Sequence, residues 1–146
     1  MELAQPRTSE LITAPGVLAS YWEPLSGARF VITRPEDSPA LWAQYLDGLE
    51  ATYKSFGVEA ALDLGAIFHG RRLPAFAVAL GPDGDVIAGV RAHGPLEEPQ
   101  DAHALIEFAA DPAGQATVRR FIGDRVPFGV TEIKGGWVDE KAGNRR

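Results

Sequence analysis

Two places in the chain set chemically capable side chains among apolar neighbours. Glu132 lies in Val130-Thr131-Glu132-Ile133-Lys134-Gly135-Gly136-Trp137-Val138. A carboxylate partly buried there would have its charged form disfavoured and its pKa raised, which suits a general base. The same spacing equally fits a Glu132–Lys134 pair on the solvated face of an edge strand. Arg91 closes an apolar run beside Gly89. Its planar fork of donors could orient a carboxylate or carbonyl from a sheet surface, although its long stem also lets the head reach water.

Other chemistries find little support. His69, His93 and His103 show no His-x-x-x-His pairing, and no carboxylate cluster has metal-loop spacing. His93 and His103 would meet only if their segments were neighbours; surface or hydrogen-bonded roles are the expectation for all three. Ser20, Ser26, Ser38 and Ser55 lie outside any Gly-x-Ser-x-Gly elbow and have no evident base. No glycine-rich stretch follows a strand and opens a helix in the manner of a P-loop or dinucleotide fingerprint. The absence of Cys excludes thiolate catalysis, Cys-ligated metal and disulfides.

The elements that would position Arg91 and Glu132 are readable from periodicity. Residues 1–27 have mixed composition, with Pro6, Pro15 and Pro24, and read as an N-terminal arm. Residues 28–146 read as a single domain. Ala28–Thr33 is a strand by its β-branched and aromatic content. Ser38-Pro39 opens a helix, on which Leu41, Trp42, Tyr45, Leu46, Leu49, Tyr53 and Phe56 recur at three- and four-residue spacing before Gly57 stops it. Val58–Phe68 is undecided between a short helix and an irregular crossing. Pro74–Leu80 and Val86–His93 flank Gly81-Pro82-Asp83-Gly84-Asp85 and predict an antiparallel hairpin. On its second strand Val86, Ala88 and Val90 are expected on one face, with Ile87, Gly89, Arg91 and His93 on the other. His103–Phe108 reads as a further strand, Asp111-Pro112 as the start of a helix reaching about Arg125, and Phe128–Lys134 as the last strand. This order predicts an α+β fold with a mostly antiparallel central sheet flanked by helices.

The chain has 146 residues, enough for one domain with its own core. Its formal net charge of -6 argues against a nucleic-acid partner. No apolar run reaches the roughly 18 residues of a membrane span, and the first residues lack a secretory leader pattern. The cytoplasm is therefore the expected location.

Several segments together resemble the GNAT acyltransferase superfamily, in particular the acyl-homoserine-lactone synthases and N-acyl amino acid synthases. Tyr45–Gly57 is similar to that family's first helix. Phe76-Ala77-Val78 through Gly89-Val90-Arg91 is similar to its central hairpin, which ends in an Arg. Leu105-Ile106-Glu107-Phe108 and Thr131–Val138 resemble a short Leu-containing segment and its Glu-x-Ser-Arg-Phe-x-Val strand. Lys134 and Gly135 stand where the family has Ser and Arg, and the acyl-carrier-binding half has no counterpart. The resemblance implies a GNAT-like fold, here incomplete, and transfer of an acyl group from an acyl-thioester to a small amine or amino acid. It implies Glu132 as catalytic base, and Arg91, Lys134 and Trp137 on the acceptor substrate. Gly143, Arg145 and Arg146 would lie near the phosphates of acyl-coenzyme A, with acyl-carrier protein as the other donor. No permanently bound cofactor is implied, and self-association is a further expectation.

Against this stands a second class: a non-catalytic small-ligand-binding or regulatory α+β domain. A splayed gap between the strand ending at Phe108 and that ending at Lys134 would favour acyl transfer. A closed sheet would favour the binding domain. A protein that associates through Trp137 or the helix stripe is a third reading.

Overall fold

The computed structural model describes residues 16–62 and 75–143. Five strands, β1 (Val17–Glu23), β2 (Ala28–Thr33), β3 (Ala75–Leu80), β4 (Val86–His93) and β5 (Glu132–Val138), form one antiparallel sheet in sequential order. The helices are α1 (Pro39–Ser55), α2 (Ala104–Glu107), α3 (Pro112–Gly123) and α4 (Glu140–Gly143). The fold is α+β, a meander with α1 packed across one face of β3, β4 and β5.

The predicted helix stripe does what its spacing requires. Trp42, Tyr45, Leu46 and Leu49 are buried against Val31, Phe76, Val78 and Trp137, each large side chain contributing about 1.5–3 kcal/mol. The stripe ends one turn early, since Phe56 is largely exposed. Gly57 adopts φ +67°, the left-handed geometry of a helix stop. At the other end Pro39 fills the first turn, but Ser38 does not cap it. Thr33 Oγ1 donates to the Gly16 carbonyl at 2.7 Å, which leaves it to accept from Ser38 Oγ at 2.9 Å. The helix entry is thereby tied to the sheet.

Helix α1 lies unusually close to the strands. A Cβ at Gly48 would overlap the Trp137 ring, and one at Gly89 would overlap Tyr45. Leu96, Ala102, Leu105 and Ile122 form a second, smaller cluster, which joins α2 and α3 to the loops around β4 and β5.

The structure departs from the sequence reading at four further places. Val17–Glu23 is not part of an arm but strand β1, paired with β2 and carrying the buried Ser20; its polar and aromatic mixture hid the alternation. His103–Phe108 is not a strand. Only Leu105 of the α2 residues is buried while Ile106 is exposed, so the segment offers the core one side chain per turn rather than every second residue. The last strand begins later than expected, because a 3₁₀ turn over Val126–Phe128 and Gly129 at φ +87° precede it. In β4 the slip between Ala79 and Leu80 makes Ile87 an extra residue, so Val86 packs with the α1 core rather than sharing a face with Ala88 and Val90. Part of the undecided stretch is a 3₁₀ turn over Glu59–Ala61; residues 63–68 lie outside the described residues.

Candidate functional site

The α1 side of the sheet gathers the chain's chemical groups at one end. Register places Arg91 opposite Lys134 and His93 opposite Glu132. Since Arg91 and His93 are two residues apart on one strand, all four project on the same face.

Arg91 is the centre of this group. It is only 9% exposed, and its Nη1 donates to Tyr45 Oη at 3.2 Å. Tyr45 Oη donates in turn to the Gly135 carbonyl at 2.8 Å. Burial pushes the Tyr45 phenol pKa up, with the Arg91 hydrogen bond and charge opposing, so the hydroxyl keeps its proton for Gly135. Room for the pair comes from a bulge. Between Gly89 and Arg91 the register slips, giving β5 an extra residue at Gly135-Gly136. Gly135 sits at φ +59°, and a Cβ there would overlap both Arg91 Nη1 and Tyr45 Oη. Among the described residues, Arg91 has no carboxylate within ion-pair distance. Among the described residues its other guanidinium nitrogens have no protein partner, and they are not sealed from solvent.

The neighbouring charges are organised differently. Both Glu132 carboxylate oxygens accept backbone N–H groups at 2.9 Å, from His103 and Ala104. Glu132 thus caps α2 from a distant strand, and its lone pairs serve folding. Lys134 Nζ pairs with Glu107 of α2 at 2.6 Å, not with Glu132. The His93 and His103 rings lie 4.3 Å apart between centroids, although His103 precedes a helix rather than lying in a strand. His93 Nε2 is 3.4 Å from the Asp101 carbonyl oxygen. Burial holds the His103 pKa below its ordinary value, reinforced by the positive charges of His93, Lys134 and Arg91 and opposed by Glu132.

Four of the sequence-selected residues therefore divide in two. Arg91, Glu132 and Lys134 converge at one site, whereas Trp137 is a core residue: it is 8% exposed, and its Nε1 donates to the Tyr45 carbonyl at 3.0 Å. Gly143 ends α4; Arg145, Arg146 and His69 lie outside the described residues. Tyr45 and Gly135 were not singled out by the sequence as site residues. The available signal was a tyrosine in the middle of a buried stripe, since a buried phenol must find a partner. Among the described residues no cluster of three or more His, Asp or Glu could hold a metal ion, and no helix is long and apolar enough to cross a membrane.

Uncharacterized proteins of Mycobacterium bovis and Mycobacterium tuberculosis are 43% identical to the chain over 123 residues, 84% of this chain and 46% of theirs. The chain thus spans about half the length of these curated relatives. No family model and no solved structure matches it.

Proposed function

We propose that this domain binds a small molecule through a carboxylate or similarly shaped oxyanion, held by Arg91. The observation that carries the reading is an arginine only 9% exposed whose guanidinium has a tyrosine as its one hydrogen-bonded protein partner among the described residues. Burying a cation costs several kcal/mol unless a counter-charge offsets it, by the order-of-magnitude solvation argument. The remaining fork of donors fits a planar oxyanion bidentately. Lys134, itself paired with Glu107, lies opposite it in the register, and His103 would add a positive charge once protonated at acid pH.

Acyl transfer is less well supported. That reading asks for a free base at Glu132 and for a splayed gap between a strand ending at Phe108 and the one ending at Lys134; Glu132 is engaged by two N–H groups, and the segment before Phe108 is helix α2 rather than a strand. Two titrations separate the readings. Calorimetry with a panel of small mono- and dicarboxylates is expected to show saturable binding, lost in Arg91→Gln and weakened in Arg91→Lys, with both variants folded by circular dichroism. Equal binding by Arg91→Gln, or no saturation with any carboxylate, would overturn the proposal. Saturable binding of acyl-coenzyme A with turnover that depends on Glu132 would restore the acyl-transfer reading.

A further inference from the structure

Helix α2 meets the sheet through groups that carry or gain charge. At its start the N–H groups of His103 and Ala104 donate to the Glu132 carboxylate at 2.9 Å. Further along, Glu107 pairs with Lys134 Nζ. The 3₁₀ turn before it, Pro99–Asp101, brings the Asp101 carbonyl oxygen to 3.4 Å from His93 Nε2. The His103 ring lies against that of His93 on β4, with 4.3 Å between centroids. Leu105 alone among the α2 side chains is buried in an apolar cluster. A helix of four residues does not hold itself, so its docking depends on that leucine and on these polar tethers.

We infer that α2 and the turn before it form an acid-released strap across the end of β4 and β5, with the His93–His103 pair as its trigger. Two imidazoles this close cannot both take a proton without setting like charges against each other. The surrounding elements add to the repulsion more than they relieve it. Arg91 on β4 and Lys134 on β5 present positive charge to His103, while Glu132 on β5 opposes them. Glu107 of α2 is committed to Lys134, and the Asp101 carboxylate accepts from the Glu98 N–H within its own turn. From α3, Gln115 Nε2 donates to the Leu105 carbonyl at 2.9 Å and adds no charge.

The direction of the switch follows from the same contacts. Docking holds the His103 ring below its ordinary pKa, chiefly by burial. When α2 lifts, the ring returns to water and to that ordinary value. The released form therefore binds more protons, and acidification moves the equilibrium toward it. Histidine is the side chain whose ordinary titration falls at mildly acidic pH. Release frees both Glu132 oxygens and the Lys134 amine beside Arg91, whether or not Arg91 takes an oxyanion.

Amide exchange followed by NMR on the whole chain tests the inference, with each rate divided by its intrinsic value at the same pH. From about pH 7.5 to about pH 5.5, protection at His103 and Ala104 is expected to fall about threefold or more, with β2 and β3 unchanged. His103→Gln, still protected at those amides at the higher pH, should show no fall. His93→Gln should show a smaller one, because the His103 ring loses a like-charged neighbour. If His103→Gln loses α2 altogether, His93→Gln carries the comparison. Protection that does not change with pH in the wild type overturns the inference. So does a fall of undiminished size in His93→Gln, or a parallel loss through β2 and β3, which would mark general acid unfolding.

Discussion

Tyr45 has two duties, and the site depends on both. Its ring fills the core against Trp42 and Phe76, while its hydroxyl joins the Arg91 guanidinium to the Gly135 carbonyl. Tyr45→Phe keeps the ring and leaves that carbonyl and Arg91 without the phenol, so it should cost about 1–3 kcal/mol in urea unfolding and weaken carboxylate binding. Unchanged affinity in a variant that has lost stability would show that the hydroxyl serves the fold alone. Gly135→Ala is expected to be more damaging to binding, because the added methyl overlaps both Arg91 and Tyr45 and the residue is already at positive φ. His103 adds a pH dependence. With its folded pKa below the ordinary 6.5, the unfolded chain binds more protons between the two values. Its contribution to stability is therefore present above 6.5 and is lost as pH falls from 6.5 through the folded pKa. A bound anion favours the protonated ring, so carboxylate affinity should rise over the same acid interval with proton uptake. Calorimetry in buffers of different ionisation enthalpy measures that uptake; affinity that falls toward acid pH would remove His103 from the site. Of the site, Arg91, Glu132 and Lys134 were legible in the sequence, because a charge inside an apolar run is conspicuous. Tyr45 was not, because its hydroxyl is invisible in a periodicity that counts it as one more apolar residue.

At the level of elements, the unexpected one is α2. A helix of four residues has no stability of its own. It forms where Leu105 can be buried and where the carboxylate of Glu132, 28 residues downstream of Ala104, meets its first N–H groups. No local pattern announces a cap that arrives from another strand, which explains why Ala104–Glu107 reads as a strand in isolation. Glu132→Ala should cost about 0.5–2 kcal/mol, the usual range for a lost cap, and should speed amide exchange at His103 and Ala104 before other positions. Exchange unaltered at those two amides would mean that the cap is not formed in solution. The hairpin of β3 and β4, by contrast, was legible down to its five-residue loop, since Gly81–Asp85 is turn chemistry between two apolar runs. The face assignment at Val86 failed there because one bulged residue reverses the alternation on its far side.

On the scale of the whole molecule, the two apolar clusters should differ in what they support. Leu49, fully buried under α1, and Leu105, in the satellite cluster, each predict a loss of about 2–5 kcal/mol on truncation to Ala if unfolding is one cooperative event. Because the α2–α3 segment packs mainly through a few side chains, Leu105→Ala is expected to open residues 96–130 locally, with native exchange retained in β2 and β3. Uniform acceleration across the sheet in that variant would instead indicate a single unit. The order of residues was enough for the fold class, the sheet's central hairpin, α1 and its buried stripe, because these follow from periods of two and of 3.6 that act over a few neighbours. Three features required the folded chain: the recruitment of Val17–Glu23 as an edge strand, the capping of α2 by Glu132, and the meeting of Arg91 with Tyr45 over Gly135. Each joins positions distant in sequence, with 90 residues separating Tyr45 from Gly135, and each depends on register and on slips of one residue that no local pattern encodes.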